Sequence, residues 1–583
     1  MTTMNRAPRP FPVRPALRLR DGATLLALVA VSCGGPRIPD AAIAAAPRAG
    51  GHTGPAVDGD ETGTNRFAQP LLSIFEAPAA KRVAGRLDGF ARPPGSDGYE
   101  KAIDYLSGQF DEAGFGDEPG FSARVLETGS SSTWTPQAAF LSVVGETPSG
   151  QVRRVKISKF ALPGDAERAM LPLGSPSYEV AGTVVFDVED ITEGVILLTD
   201  QTVRSVEQEA AERGAAGVIS TYLLPYAVDP TGEDRHFDAI FTGSIRPGSE
   251  LPSMYVSPRT GENVRQAHRA GSTFEMAGSA TTTVRPLRTI VAEIEGSEFP
   301  DQVVYVVTHA DGYGANDNAA GAAGILELSR SIKRLVLSGT IERPRRTIRF
   351  VIGAESSAGE VILEELDGEP VCAIVADMIG QSYERTGAIC LLERGWDPGG
   401  LHLLPPDQHT PWGAGEIVKE DIVPDGLAIV LREALVDVGG ATERKGKPPW
   451  PTSEHPWEGG SDHDAFLDAG VPAALVWHFT DFSYATSLDR IEHVDAEELR
   501  RTSVAIGAAA LAIADARMGD LERHLDTLNL ERRVRLGAAE RAGSDPVVAD
   551  DWAHWFTGAR LWLRALCAGE PLDDQRTLDE YGE

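Results

Sequence analysis

Five short segments of this 583-residue chain bring together side chains that bind cations and move protons. They are His309-Ala310-Asp311, Gly314-Ala315-Asn316-Asp317-Asn318, Glu355-Ser356, Asp377-Met378-Ile379-Gly380 and Gly460-Ser461-Asp462-His463. Imidazole nitrogens and carboxylate oxygens are good zinc donors, bonding at ~2.0–2.2 Å. A carboxylate left outside the ligand set can take a proton from water. Taken singly, such residues are usually loop residues or satisfied core groups. Here the first four segments follow apolar runs that read as buried strands, and in parallel α/β sheets ligands bind beyond the carboxyl ends of the strands.

Those runs alternate with helical patterns. Val303–Thr308 precedes a helix from about Asn318 to Lys333, Thr347–Gly353 precedes Ser357–Leu366, and Val371–Ala376 and Ala473–Phe479 follow. Continuous apolar strands between helices predict an α/β fold, a mainly parallel sheet flanked by helices on both faces. Upstream, Tyr99–Ala113 puts Ile103, Leu106, Phe110 and Ala113 on one helical face, with Gly114 as the stop.

Together these motifs resemble the zinc exopeptidase family of bacterial leucyl aminopeptidases and glutamate carboxypeptidase II. The family pattern runs His-x-Asp, Gly-Ala-x-Asp-Asn-x-x-Gly, Glu-Glu, Asp-Met-Ile-Gly, Ser-Asp-His and Tyr-His-Thr-x-x-Asp. The match covers most of residues 288–515, and Arg92–Leu106 looks like the family's leader. The resemblance implies that His309, Asp317 and Asp377 hold a first metal, with Asp317 as the bridging carboxylate. It also implies that Asp311 orients the His309 ring and that Glu355 is the general base toward a zinc-bound water. His463 and Tyr484 fall beside the site or the substrate. Both private ligands of the second metal are replaced: Ser356 stands at the second Glu, and Ala485 at the His of Ser483-Tyr484-Ala485-Thr486-Ser487-Leu488-Asp489. A shift in register at residue 356 would offer Glu360 instead. His463, His478 and His493 are further candidates to replace the lost His.

The implied function is a metal-dependent exopeptidase, an aminopeptidase acting on peptides. One zinc ion is expected and two remain allowed. The alternative is a pseudopeptidase that binds peptides at the cell envelope without cutting them.

Residues 165–287 read as a small α/β unit resembling a protease-associated (PA) domain, inserted between an N-terminal segment of the peptidase domain (70–164) and the catalytic part (288–515). Residues 516–583 read as a C-terminal helical appendage, and 394–460 as a long insertion interrupted by a helix from Gly426 to Val438. Five arginines precede a ten-residue apolar run, Ala23–Ser32, too short to span a bilayer. Residues 1–33 thus read as an export signal ending at Cys33, a lipoprotein-type acceptor, with 34–69 as a flexible tether. Export as an envelope lipoprotein, or as a periplasmic or extracellular protein, follows, with membrane attachment only through such a lipid. Cys372, Cys390 and Cys567 make no disulfide framework. A net charge of -32 argues against nucleic acid as partner, since phosphate binding needs clustered Lys and Arg. Oligomeric state is not readable.

Overall fold

In Val303–Val307 the odd residues Val303, Tyr305 and Val307 join one core, and Val304 and Val306 another. This two-residue period places a strand between two covered faces, as continuous apolar runs require. The structure, a computed structural model, describes residues 62–570 except 147, 148, 150, 162, 163, 228–235 and 356. The expected signal with Cys33, most of the tether and Ser356 lie outside the described residues.

Three helices open the described chain, α1 (Asn65–Ile74), α2 (Ala77–Asp88) and α3 (Asp97–Glu112). The expected tether therefore ends earlier than residue 69, because Phe67 and Ala68 are buried in α1. Two long strands follow, β1 (Phe121–Glu146) and β2 (Val152–Phe160), and then β3 (Tyr178–Gly182). A second sheet is built by β4 (Val184–Val185), β5 (Ile196–Thr199), β6 (Gly217–Ser220) and β7 (Ser253–Tyr255), with α4 (Val203–Glu212) and α5 (Pro258–Arg269). Its four strands are parallel, in the order β4-β5-β6-β7. The chain returns through β8 (Thr273–Ile294), which pairs with β1 along most of its length, so the boundary read at residue 287 falls inside a strand.

The remaining elements are β9 (Phe299–His309), α6 (Ala319–Leu337), β10 (Arg346–Gly353), α7 (Ser357–Glu365), β11 (Glu369–Ala376), α8 (Tyr383–Thr386), β12 (Ile389–Glu393), α9 (Pro398–Leu401), α10 (Leu427–Ala441), β13 (Thr452–His455), α11 (His463–Asp468), β14 (Ala473–Phe479), α12 (Ala496–Ala514), α13 (Leu521–Ala542) and α14 (Pro546–Ala568). The large sheet has ten strands, ordered β13-β12-β14-β11-β9-β10-β8-β1-β2, with β3 beside β8. Its centre, β14-β11-β9-β10, is parallel. β12 and β8 join this centre antiparallel. Helices α6, α10 and α12 cover one face with α1 and α2, and α7 and α11 cover the other.

The described part of the expected C-terminal helical appendage, residues 516–570, packs on the main core. Trp552, Trp555 and Trp562 of α14 are buried in the main core, and Arg346 donates to the Leu566 carbonyl at 2.9 Å. Cys372, Cys390 and Cys567 are free and buried. Among the described residues no helix is long and apolar enough to cross a membrane.

Candidate metal centre

The ends of β9, β10 and β11 bring three predicted residues to one point. His309 closes β9, Glu355 follows β10 and Asp377 follows β11. One ligand-type atom from each lies within 4.8 Å of the others. His309 Nε2 is 3.2 Å from Asp377 Oδ1 and 3.6 Å from Asp317 Oδ1. Asp317, expected as a ligand beside His309 and Asp377, is thus adjacent to the imidazole, while Glu355, expected as the base, completes the tightest trio.

Neighbouring groups hold these side chains. Asp377 Oδ2 accepts from the Ser461 hydroxyl at 3.0 Å, which leaves Oδ1 facing His309. Asp311 Oδ1 lies 3.3 Å from His309 Nδ1 and accepts the Glu355 main-chain N–H at 2.8 Å. One carboxylate therefore relates ring and base, as an outer partner of a ligating imidazole should. The loop carrying Asp317 rests on Asp489, whose two oxygens accept the N–H groups of Asn316 and Asp317 at 2.8 and 2.9 Å. Gly314 is required there, since a Cβ would fall 1.9 Å from Asp489 Oδ2. Asn318 caps α6 through the Gly321 N–H and also accepts the Met378 N–H, tying the Asp317 loop to the Asp377 loop.

Two of these supports, Arg92 and Asp489, had no assigned role in the sequence reading. Arg92 is fully buried and donates to the carbonyls of Ala310 and Gly314, on either side of Asp311, and to Leu87 and Phe90. Its place in the Arg92–Leu106 segment was the available signal. Asp489 was visible as the last residue of the Tyr-x-Thr-x-x-Asp pattern.

The charges do not balance among the protein groups alone. Burial pushes Asp317 up to about 7, His309 pulls it down, and Asp377 and Asp311 push it up again. Glu355 is held well above the carboxylate range, first by burial and then by Asp377, Asp311 and Asp317 against the pull of His309. Burial lowers the His309 pKa, but Asp377 and Glu355 reverse this and leave it raised. Such crowded acids around one imidazole fit a divalent cation, whose charge would offset theirs.

The other predicted positions divide. Tyr484 lies against the centre, its hydroxyl pKa raised by burial and by Asp317, Glu355 and Asp377. His463 points away, with Nε2 2.9 Å from Glu393 Oε1. His478 is engaged at both nitrogens, by the Met378 carbonyl and Glu498, each at 3.0 Å. His493 Nδ1 lies 3.1 Å from the Ser483 hydroxyl. Ala485 has φ +52°, and its carbonyl accepts the Thr242 N–H at 2.9 Å. Ser356 lies outside the described residues, as does the side chain of Glu360.

Residues 289–357 match the model of peptidase family M28. A protein named probable zinc metalloprotease from Pyricularia oryzae is 26% identical over 322 residues, 48% of this chain and 61% of that relative. The chain thus spans about three fifths of the length of the curated relative it matches. A solved peptidase M28 precursor from Shewanella amazonensis shares the fold, with TM-score 0.50 and 18% identity over 78% of this chain and 97% of that one. A zinc aminopeptidase from Bacillus subtilis aligns with TM-score 0.47 and 18% identity over 75% of this chain and 94% of that one. The matched segment runs from β8 through the ends of β9 and β10, and over it the chain is similar to peptidase family M28, in line with the zinc exopeptidases that its strand-end motifs resemble.

Proposed function

We propose that this protein is an exported aminopeptidase working with a single zinc ion held by His309, Asp317 and Asp377. The observation that carries the proposal is the convergence of His309, Asp377 and Glu355 within 4.8 Å, with Asp317 Oδ1 3.6 Å from His309 Nε2. A bound zinc ion would polarise the scissile carbonyl and acidify water, as in other hydrolytic zinc sites.

Glu355 is half-buried and its main chain is held by Asp311, so its carboxylate meets the cleft in a fixed direction. It takes the proton from the attacking water and returns it to the departing amine, a role worth ~10²–10⁴-fold in rate. Asp311 keeps the His309 ring oriented. Tyr484 and Trp412, in edge contact at 5.9 Å between ring centroids, supply an aromatic wall beside the acids. Tyr226, from the unit read as a PA domain, packs on Phe479 and is one of the groups that raise the Tyr484 pKa. This contact supports a role for that unit in shaping access. The lipid anchor at Cys33 and export belong to the same proposal and rest on the leader sequence.

The test is turnover of amino-acyl anilides together with zinc content. Wild type should hydrolyse them with zinc bound. Glu355→Ala should lose about 10²-fold or more in kcat while retaining its metal. No zinc-dependent turnover in wild type, and none lost in Glu355→Ala, would favour a peptide-binding pseudopeptidase. The replacements at Ser356 and Ala485 are what keep that second reading in play.

A further inference from the structure

A second convergent set of ligand-type side chains lies outside this centre. Glu393 ends β12 and His455 ends β13, and the two are direct partners in the parallel register of those strands. Glu458 follows three residues later. One donor atom from each lies within 4.8 Å of the others, and among the described residues only this set and the His309 set meet that condition. All three residues are buried, at 0%, 2% and 4% exposure in that order.

Some other carboxylates of this protein are neutralised by guanidinium groups. Asp407 faces Arg394 and Arg535, and Glu454 faces Arg432. Glu393 and Glu458 face imidazoles instead: His463 at 2.9 Å and His455 Nε2 at 3.8 Å for Glu393, and His409 at 3.2 Å and His455 Nδ1 at 3.4 Å for Glu458, which also accepts the Thr410 N–H and hydroxyl at 2.5 and 2.6 Å. Burial lowers the His463 pKa, but Asp464 and Glu393 raise it to about 9, so this ring offsets one of the two buried anions, and the other is costly unless a further cation joins it. Glu393 Oε1 accepts the N–H groups of Glu458 and Gly459, but the buried Oε2 has no hydrogen-bond partner and faces His455 Nε2. That ring has the arrangement of a ligand. Its Nδ1 is 2.8 Å from the Pro456 carbonyl, the outer hydrogen bond of an imidazole binding through Nε2. The one group that binding would displace from Nε2 is the indole N–H of Trp477, at 3.0 Å.

We propose that Glu393, His455 and Glu458 bind a divalent transition cation of the zinc class as a closed structural site, separate from the catalytic centre. Two carboxylates and one imidazole balance its charge and match its donor preference. The cation fastens the turn at residues 456–460 to the ends of β12 and β13. That turn leads directly into Ser461, which holds Asp377, so the structural ion steadies one wall of the catalytic centre from behind.

Metal content of the purified full-length chain, measured by inductively coupled plasma mass spectrometry after zinc loading and desalting, tests this. His455→Ala and Glu393→Gln should each lose one zinc equivalent relative to wild type. Asp377→Asn should lose a different equivalent, so that combining it with Glu393→Gln removes both. Circular dichroism selects the folded variants, and the near-isosteric Glu393→Gln serves if His455→Ala does not fold. Thermal unfolding gives an independent readout, since chelator should lower the Tm of Asp377→Asn but not of the double variant. Folded Glu393→Gln with wild-type metal content, or a wild-type equivalent lost entirely on Asp377→Asn, would overturn the proposal and leave a hydrogen-bonded Glu–His network only.

Discussion

Arg92 carries a guanidinium into the core and directs it at main-chain carbonyls of Leu87, Phe90, Ala310 and Gly314. Burial lowers its pKa to about 10, with Arg168 adding to the shift and Asp88, Asp311 and Asp317 opposing it, so the side chain remains charged at neutral pH. Arg92→Ala would leave several buried carbonyls without donors. Each such group costs ~1–3 kcal/mol, so the variant should lose at least about 3 kcal/mol in urea unfolding. Asp425 has the opposite character. Burial pushes its carboxyl from 3.8 up to about 7, against the Leu427 N–H it accepts. Its folded-state pKa exceeds the unfolded one, so stability is fully present below pH 3.8 and falls as pH rises toward 7. Asp425→Asn keeps the carbonyl acceptor and removes the charge. It should therefore raise Tm at pH 8 and change it little at pH 4, as scanning calorimetry at the two values would show.

At the scale of elements, the segment that would carry a second-metal ligand is clamped by the chain preceding β7. Thr242 donates to Ala485, Ser487 donates to the Ile240 carbonyl at 2.8 Å, and Phe241 bridges Thr486. Ala485 sits in the left-handed region at φ +52°. A Cβ there is strained, so Ala485→Gly should gain about 0.5–1 kcal/mol. Histidine is enriched in that backbone region relative to most residues, so Ala485→His should fold. Ala485→His with Ser356→Glu should bind an additional zinc equivalent and change the kcat/KM for amino-acyl anilides. Unchanged metal content in the double variant would show that the clamp holds residue 485 out of reach.

The last helices complete the core on one face of the large sheet. α14 contributes Trp552, Trp555, Phe556, Trp562 and Leu563, and α13 contributes Arg535, which joins Asp407, Glu454 and Glu531. Burying side chains of this size contributes about 1.5–3 kcal/mol each. Removing a partner from a buried ionic group costs about 3–5 kcal/mol. Together these exceed the 5–15 kcal/mol that typically holds a domain folded. A chain ending at residue 515 should therefore be insoluble or lack a cooperative thermal transition, which expression and calorimetry would show.

The sequence alone determined the central strands, the helices between them and the family resemblance. These follow from periods of two and 3.6 residues and from motifs written in contiguous segments. His309, Asp317, Glu355 and Asp377 were legible because each lies just past an apolar run, where a parallel sheet gathers its strand ends. Tertiary structure decided what depends on register and on distant partners. Glu393 and His455 meet because β12 and β13 pair in one register, and no local pattern sets that. Arg92 reaches carbonyls more than 200 positions away. Strand β13 hid in a Pro- and Trp-rich stretch that reads as loop, and α14 reads as an appendage until its tryptophans are seen in the core. Local propensity fixes which elements form, but only packing decides which faces meet.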